Sequence, residues 1–328
     1  MLSSVLFTHT DLDGAGCAVL YRLACKTAKY RVFHCTYKDI DEKIINAIED
    51  GLVTPKTEIC IADISPSMEV MKRLVEGFPF LMIWDHHRTA LPLLEIFPMG
   101  QIIEKDENGL TCGTQLMFDH YIKTGAYCSH VKMDTIELTR FVQAVRSWDT
   151  WEWKKHNMEV PKELNVLFNT LGMEKFVNRC CSIYYQGQGS LLRSSERFII
   201  GAIIEKEQKI IESVEPKHVC ERSIYGYRSA VYFTPGNVNV SDLASSFLLR
   251  HPEFDIFIGI DLVSGTCQYR TSKDNIDVSE IAKMVGGGGH KQASGSIISQ
   301  ETKGKVMDLI LEGFNTNYDI ALESTGKY

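Results

Sequence analysis

Short apolar runs and helix-length amphipathic stretches alternate through the first half of the chain. Val5–Phe7, Arg31–Cys35, Glu58–Ile61 and Phe80–Trp84 read as strands, and Ala15–Thr27, Asp41–Asp50 and Pro66–Gly77 read as the helices between them. Strand and helix in turn predict a mostly parallel sheet covered on both faces, an α/β fold. Further helices are expected over Thr111–Lys123 and Asp134–Val145, the second ending just before Asp149. Residues 154–190 show no clear period. Ser190–Glu212 then sets Leu191, Leu192, Phe198, Ile199, Ala202, Ile203 and Ile210 at helical intervals, which predicts a long amphipathic connecting helix. From about Arg222 the pattern turns to strand runs at Ser229–Thr234, Asp255–Leu262 and Thr266–Thr271, with a helix over Ser241–Arg250 that Ser241 and Asp242 would cap. A smaller α/β domain is expected there.

At 328 residues the chain is long enough for two cores. The expected division is 1–153, a connector over 154–221, and 222–320. A hydrophobic fraction of 44% and a charged fraction of 23% are ordinary for globular proteins, so disorder is expected only at Glu323–Tyr328. The net charge of −7 argues against a surface that grips long nucleic acid, whereas a small anionic substrate held by local cations remains compatible. The ten cysteines include no C-x-x-C pair, which fits free thiols in a reducing compartment, and adjacent Cys180 and Cys181 read as small buried hydrophobes. Leu2–Phe7 is too short and lacks the basic flank of a signal peptide, and no apolar run reaches membrane-spanning length. The expectation is a soluble, cytoplasmic protein without a membrane partner; the sequence leaves its oligomeric state open.

Chemistry enters at the strand ends. His9-Thr10-Asp11-Leu12-Asp13-Gly14, Ala62-Asp63-Ile64 and Trp84-Asp85-His86-His87 each follow an apolar run, and Ser147-Trp148-Asp149-Thr150-Trp151 comes later. A side chain at such a run's end is presented at the carboxyl edge of a parallel sheet, where open α/β folds bind ligands. Carboxylates gathered there repel one another unless cations intervene. Oxygen ligands with one or two imidazoles and no thiolate suit Mn²⁺ or Mg²⁺. These residues therefore predict a phosphoesterase with two divalent cations. Taken singly, Asp-His-His could be a polar loop and Asp63 a helix cap before Ser65-Pro66; their order and spacing together favour the catalytic reading.

In motif order the chain resembles the DHH/DHHA1 phosphoesterases, and within them the branch that degrades very short RNA. Gly286-Gly287-Gly288-Gly289-His290-Lys291-Gln292-Ala293-Ser294-Gly295 resembles the DHHA1 substrate-binding signature. The resemblance implies a parallel-sheet DHH domain and a smaller α/β DHHA1 domain with the active site in the cleft between them. It implies Asp63 as the carboxylate shared by both ions, Asp11 on one, and Asp13, His86 and Asp149 on the other. His9 stands two residues before Asp11, where many relatives place their histidine four before. It is expected on the first ion, with a hydrogen bond to a carboxylate as the alternative. The catalytic triplet would be Asp85, His86 and His87, with Asp85 and His87 supporting the ligands or facing the substrate.

Gly286–Gly289 could turn several amides toward an anion, so Gly287, Gly288 and His290 would hold phosphate or a terminal nucleotide. Arg270 would bind phosphate or stack on a base. Trp148, Trp151 and Trp153 are expected to pack around Asp149. The implied cofactors are two divalent cations, Mn²⁺ first and Mg²⁺ or Co²⁺ otherwise. The implied substrate is very short RNA, cleaved to 5′-mononucleotides. The alternatives are a phosphodiesterase or phosphatase for cyclic nucleotides, their linear products or 3′-phosphoadenosine 5′-phosphate, and an inactive nucleotide sensor.

Overall fold

The computed structural model describes residues 2–25, 29–125, 135–187, 190–235, 238–306 and 308. The expectation for Glu323–Tyr328 lies outside them. Contacts divide the chain into two compact units, Met1–Gly201 and Ala202–Tyr328.

The first unit begins with β1 (Ser4–Thr8), α1 (Leu12–Ala24), β2 (Tyr30–His34), α2 (Ile40–Glu49), β3 (Glu58–Ala62), α3 (Met68–Gly77), β4 (Leu81–Asp85) and β5 (Gln101–Ile102). The strands form one parallel sheet in the order β2-β1-β3-β4-β5. Because β1 connects outward to β2 while β3 lies on its other side, the strand order reverses between β1 and β3, and such a switch point leaves a crevice at the carboxyl edge. Val5, Phe7, Ile59, Ile61 and Ile83 share a core with Ile40, Ile44, Met71 and Leu74 of α2 and α3. Intervening Leu6, Cys60 and Trp84 are also buried, and Trp84 meets Tyr121 edge-on at 5.9 Å. Burial on both faces explains why these strands read as continuous apolar runs.

A 3-10 stretch, Arg88–Glu95, follows β4, and a small hairpin pairs β6 (Lys105–Asp106) with β7 (Gly109–Leu110). Next come α4 (Gly113–Thr124), α5 (Thr135–Asp149), α6 (Glu152–Lys155), α7 (Glu159–Leu171), α8 (Met173–Gln186) and α9 (Ser194–Ser213). Asp149 is thus the last residue of α5, not a residue beyond it. The stretch that showed no period contains two helices. α8 buries Phe176, Val177, Cys180, Cys181, Ile183 and Tyr184, a helical stripe that is complete only when both cysteines count as apolar. The boundary between the units falls inside α9.

The second unit contains β8 (Cys220–Ile224), β9 (Tyr227–Phe233), α10 (Val240–Arg250), β10 (Ile256–Asp261), β11 (Thr266–Arg270), α11 (Val278–Met284), β12 (Gly288–His290) and β13 (Ala293–Ile297). Its sheet runs β12-β13-β11-β10-β9-β8, antiparallel except for β9 with β10. Phe257 packs with Leu243 and Phe247 of α10, whereas Ile256 and Ile258 pack with Ile281 of α11, so each helix covers one face. The cap of α10 is Asn239, which accepts from the Ser241 and Asp242 amides, so those residues donate where they were expected to accept.

Candidate metal centre

Asp11 is the N-cap of α1 and accepts from the Gly14 amide at 3.0 Å; Asp13 lies in the same first turn. Both carboxylates therefore sit at the positive end of α1, immediately beyond β1. Asp13 is almost fully buried and accepts from the Gly113 and Thr114 amides of α4 at 2.6 and 2.8 Å. The Thr114 hydroxyl also donates to the Asp13 carbonyl at 2.8 Å. A Cβ on Gly113 would lie 2.7 Å from Asp63 Cβ and 2.9 Å from its backbone nitrogen. Glycine at this position is what lets α4 approach both aspartates.

Asp63 directly follows β3 with φ +59°, a left-handed conformation uncommon for a residue with a side chain and costing on the order of 1–3 kcal/mol. Its Oδ1 lies 3.2 Å from His86 Nε2, and its Oδ2 lies 3.9 Å from His9 Nδ1. That Oδ2 is buried and accepts no hydrogen bond. His9 Nδ1 is 2.8 Å from Asp11 Oδ2, while His86 Nε2 is 3.8 Å from Asp13 Oδ2 and 3.6 Å from Asp149 Oδ2. Two groups result: His9, Asp11 and Asp63 in one, Asp13, His86 and Asp149 in the other, with the ligand atoms of each within 4.8 Å of one another. Asp63 turns one oxygen toward each group.

Burial, then repulsion from Asp11 and Asp13, pushes the Asp63 carboxyl well above its ordinary range. Burial and the same two neighbours push Asp149 the same way. Burial lowers His86 despite the attraction of Asp13, which favours a neutral imidazole with a lone pair to offer. Closely spaced carboxylates, an orphaned buried oxygen and neutral imidazole without thiolate fit hard divalent cations.

Asp85 is not a member of these groups. It accepts from the Ser65 hydroxyl, from the His86 and His87 amides at 2.7 and 3.1 Å, and pairs with His87 Nδ1 at 2.7 Å. Its oxygens are thus used in fixing the loop after β4. His87 can join a third group, with Asp63 and His86. Burial pulls the His87 imidazole down, but the hydrogen bond and charge of Asp85 hold it above its ordinary value. The other His87 nitrogen lies 3.0 Å from the Tyr37 hydroxyl.

Tyr37, Ser65, Gly113 and Thr114 escape a reading by motif. Tyr37 and Ser65 belong to the loops after β2 and β3, at the same edge as the aspartates, and only strand order places them there. For the other two the available signal was the run of small residues Cys112-Gly113-Thr114 opening α4. Trp153 is buried and stacks on Trp148 at 4.9 Å; Trp151 is half exposed, with φ +62°.

In the second unit, Arg270 is partly buried and donates to the Ser241 hydroxyl, the Tyr269 and Ser294 carbonyls and the Gln268 side chain at 2.9–3.1 Å. Among the described residues no carboxylate pairs with it, and burial lowers its ordinarily very high pKa. The glycine run is a helix end followed by a strand. The Gly286 and Gly287 amides bond to Lys283 and Ala282 carbonyls, so those two are not turned toward an anion. A Cβ on Gly287 would lie 2.1 Å from the Gly295 carbonyl oxygen, whereas Gly288 faces open space. His290 is exposed on β12.

No protein-family model matches the chain. It is 28% identical over 302 residues to oligoribonuclease NrnB of Bacillus subtilis, an alignment covering 90% of this chain and 73% of that one. It is 20% identical to a 3′,5′-cyclic-nucleotide phosphodiesterase of Helicobacter pylori, covering 91% and 93%. In structure it is similar to the pGpG-specific phosphodiesterase PggH of Vibrio cholerae, with TM-score 0.50, 16% identity and coverage of 95% and 99%.

Proposed function

We propose that the chain, a phosphoesterase of the DHH/DHHA1 kind resembling those that degrade very short RNA, hydrolyses such RNA to 5′-mononucleotides with the help of two divalent cations, Mn²⁺ first. The observation that carries this reading is Asp63, buried between two ligand groups with one oxygen toward each and Oδ2 unpartnered. His9, Asp11 and Asp63 would hold one cation, and Asp13, His86 and Asp149, together with Asp63, the other. When bound, the cations supply the charge that activates water and offsets the anionic phosphate. The α4 amides hold the Asp13 carboxylate in place. Asp85 fixes His87 through Nδ1, the other ring nitrogen lies 3.0 Å from the Tyr37 hydroxyl, and this imidazole would give a proton to the departing oxygen. In the second unit Arg270, a cation with no carboxylate partner among the described residues, and Gly288 and His290 would bind a phosphate or terminal nucleotide, whereas the Gly287 amide is already bonded to the Ala282 carbonyl.

The names of two relatives support a second reading, in which the substrate is a cyclic nucleotide or a linear dinucleotide such as pGpG. The full set of carboxylates counts against an inactive sensor, which has no need of them. One Mn²⁺ panel separates the readings: RNA and DNA of two to ten nucleotides, a long single strand, cyclic dinucleotides and 3′-phosphoadenosine 5′-phosphate. Two- to five-nucleotide RNA should be cleaved much faster per end than the long strand. Equal rates on both, or turnover confined to the cyclic substrates, overturn the proposal. In the same panel His290→Ala should lose roughly ten- to a hundredfold in kcat/KM, the loss of one charge-assisted contact, while Mn²⁺ affinity holds.

A further inference from the structure

Beside the metal centre, within the first unit, lies a cavity of about 250 Å³ that the catalytic reading leaves without a role. Its walls come from the loops after β2, β3 and β4, the carboxyl edge that also carries the aspartates. It shares Asp85, His87 and Tyr37 with the catalytic surroundings. Tyr37 stands at the junction, 57% exposed, its ring 5.1 Å from that of His9 and 5.8 Å from that of His87.

The lining restricts the occupant. Asp41 and Asp85 face the cavity, no lysine or arginine among the described residues does, and the one imidazole there, His87, is already paired with Asp85, so a phosphate would be repelled. Ile40, Pro66 and Ala90 are buried and give it apolar surface. One Asp41 oxygen accepts from the Ser67 amide at 2.9 Å; the other accepts nothing among the described residues and is available to a donor on a ligand. The volume is below the roughly 300–1,000 Å³ of a site for a drug-sized ligand, so the cavity holds one compact group and not a whole dinucleotide.

We infer that this cavity is the subsite for one uncharged nucleoside of the substrate, its base or ribose lying on the apolar wall beyond Tyr37 and donating to the free Asp41 oxygen. The inference rests on the phosphodiesterase reading: a diester held at the aspartates carries a nucleoside on each side, and this is the recess next to them. Asp41 would then set specificity by accepting from ribose hydroxyls or from an exocyclic amine.

The test compares diribonucleotides with bis(p-nitrophenyl) phosphate, a diester without nucleosides, using Mn²⁺ and the full chain. Asp41→Asn can keep the bond to the Ser67 amide while removing the free carboxylate oxygen. Thr89→Trp, at an exposed position on the rim, obstructs the cavity from another element. In both variants the ratio of kcat/KM on diribonucleotide to that on the nitrophenyl diester should fall about tenfold, the effect of one lost hydrogen bond to a charged group. If Asp41 reads ribose, a deoxydinucleotide shows the loss already in the native protein; if it reads a base, the loss follows base identity. A ratio unchanged in both variants overturns the subsite while native turnover of both diesters leaves the phosphodiesterase reading standing. A native protein that turns over neither diester overturns that reading, and the subsite with it.

Discussion

At Asp63 a strained backbone, full burial and an unpartnered oxygen coincide. Each is a cost to the metal-free fold, and a bound cation would offset two of them. Asp63 and Asp149 are pushed up by burial and by repulsion from Asp11 and Asp13, so the folded protein holds their protons more tightly than the unfolded chain does. Their stabilising effect is complete below the ordinary carboxylate range near pH 4 and is lost as pH rises through the raised values. The metal-free protein should therefore melt at progressively lower temperature as pH is raised from about 4.5 to 7.5, and the gain from Mn²⁺ should grow over that range because binding displaces protons. Mn²⁺ at about a hundred times its Kd should add about 2.7 kcal/mol per site. Melting curves with and without metal decide this; a Mn²⁺ gain that shrinks with rising pH would contradict it. Asp11, Asp13, Asp63, His86 and Asp149 were legible because each sits in a short motif at an element end. Tyr37 and Ser65 were not, because nothing in their local sequence marks them as neighbours of His87 and Asp85.

Helix α4 acts on the site through its first turn, where two amides hold Asp13 and Gly113 rests against Asp63. Ordinarily glycine to alanine in a helix gains on the order of 1 kcal/mol. Here the added carbon meets backbone, which cannot move aside as a side chain would. Gly113→Ala should instead lower stability by about 1–3 kcal/mol, the usual cost of overpacking, and weaken Mn²⁺ binding. Denaturant melts and metal titration measure both; a variant with a raised melting temperature and native affinity would show that α4 does not brace the centre. The helix expected over Ser190–Glu212 is present as α9, but its predicted apolar face is not the buried one: Phe198 and Ile199 are exposed and Ile200 is buried, because helical intervals fix the element and not which side finds a partner. α8 was missed because its stripe runs through Cys180 and Cys181, and β12 because a glycine run carries no side-chain pattern, its strand being defined by pairing with β13.

Alternation of strand and helix made the parallel sheet of the first unit readable from the sequence, since each βα step places the next strand end at the same edge. The mixed sheet of the second unit was less so, because its order depends on pairings between distant segments such as β9 and β10. The periodic run over α9 likewise indicates one helix without indicating where one core ends, and contacts divide it at Gly201 and Ala202. No described helix is long and apolar enough to cross a membrane. With a net charge of −7, attraction of the proposed anionic substrate would fall to local groups: cations held in the first unit and Arg270 in the second. Two cations sharing Asp63 are the centre of the proposed mechanism, and calorimetric Mn²⁺ titration of the native chain and of Asp63→Asn, beside turnover of a diribonucleotide, tests them directly. The native chain should bind two Mn²⁺ and cleave the substrate. Asp63→Asn should stay folded, bind less metal and lose more activity than the roughly 10–100-fold that removing an outer partner of a ligand costs. A folded Asp63→Asn variant with near-native turnover would contradict the shared-ligand geometry and the mechanism built on it.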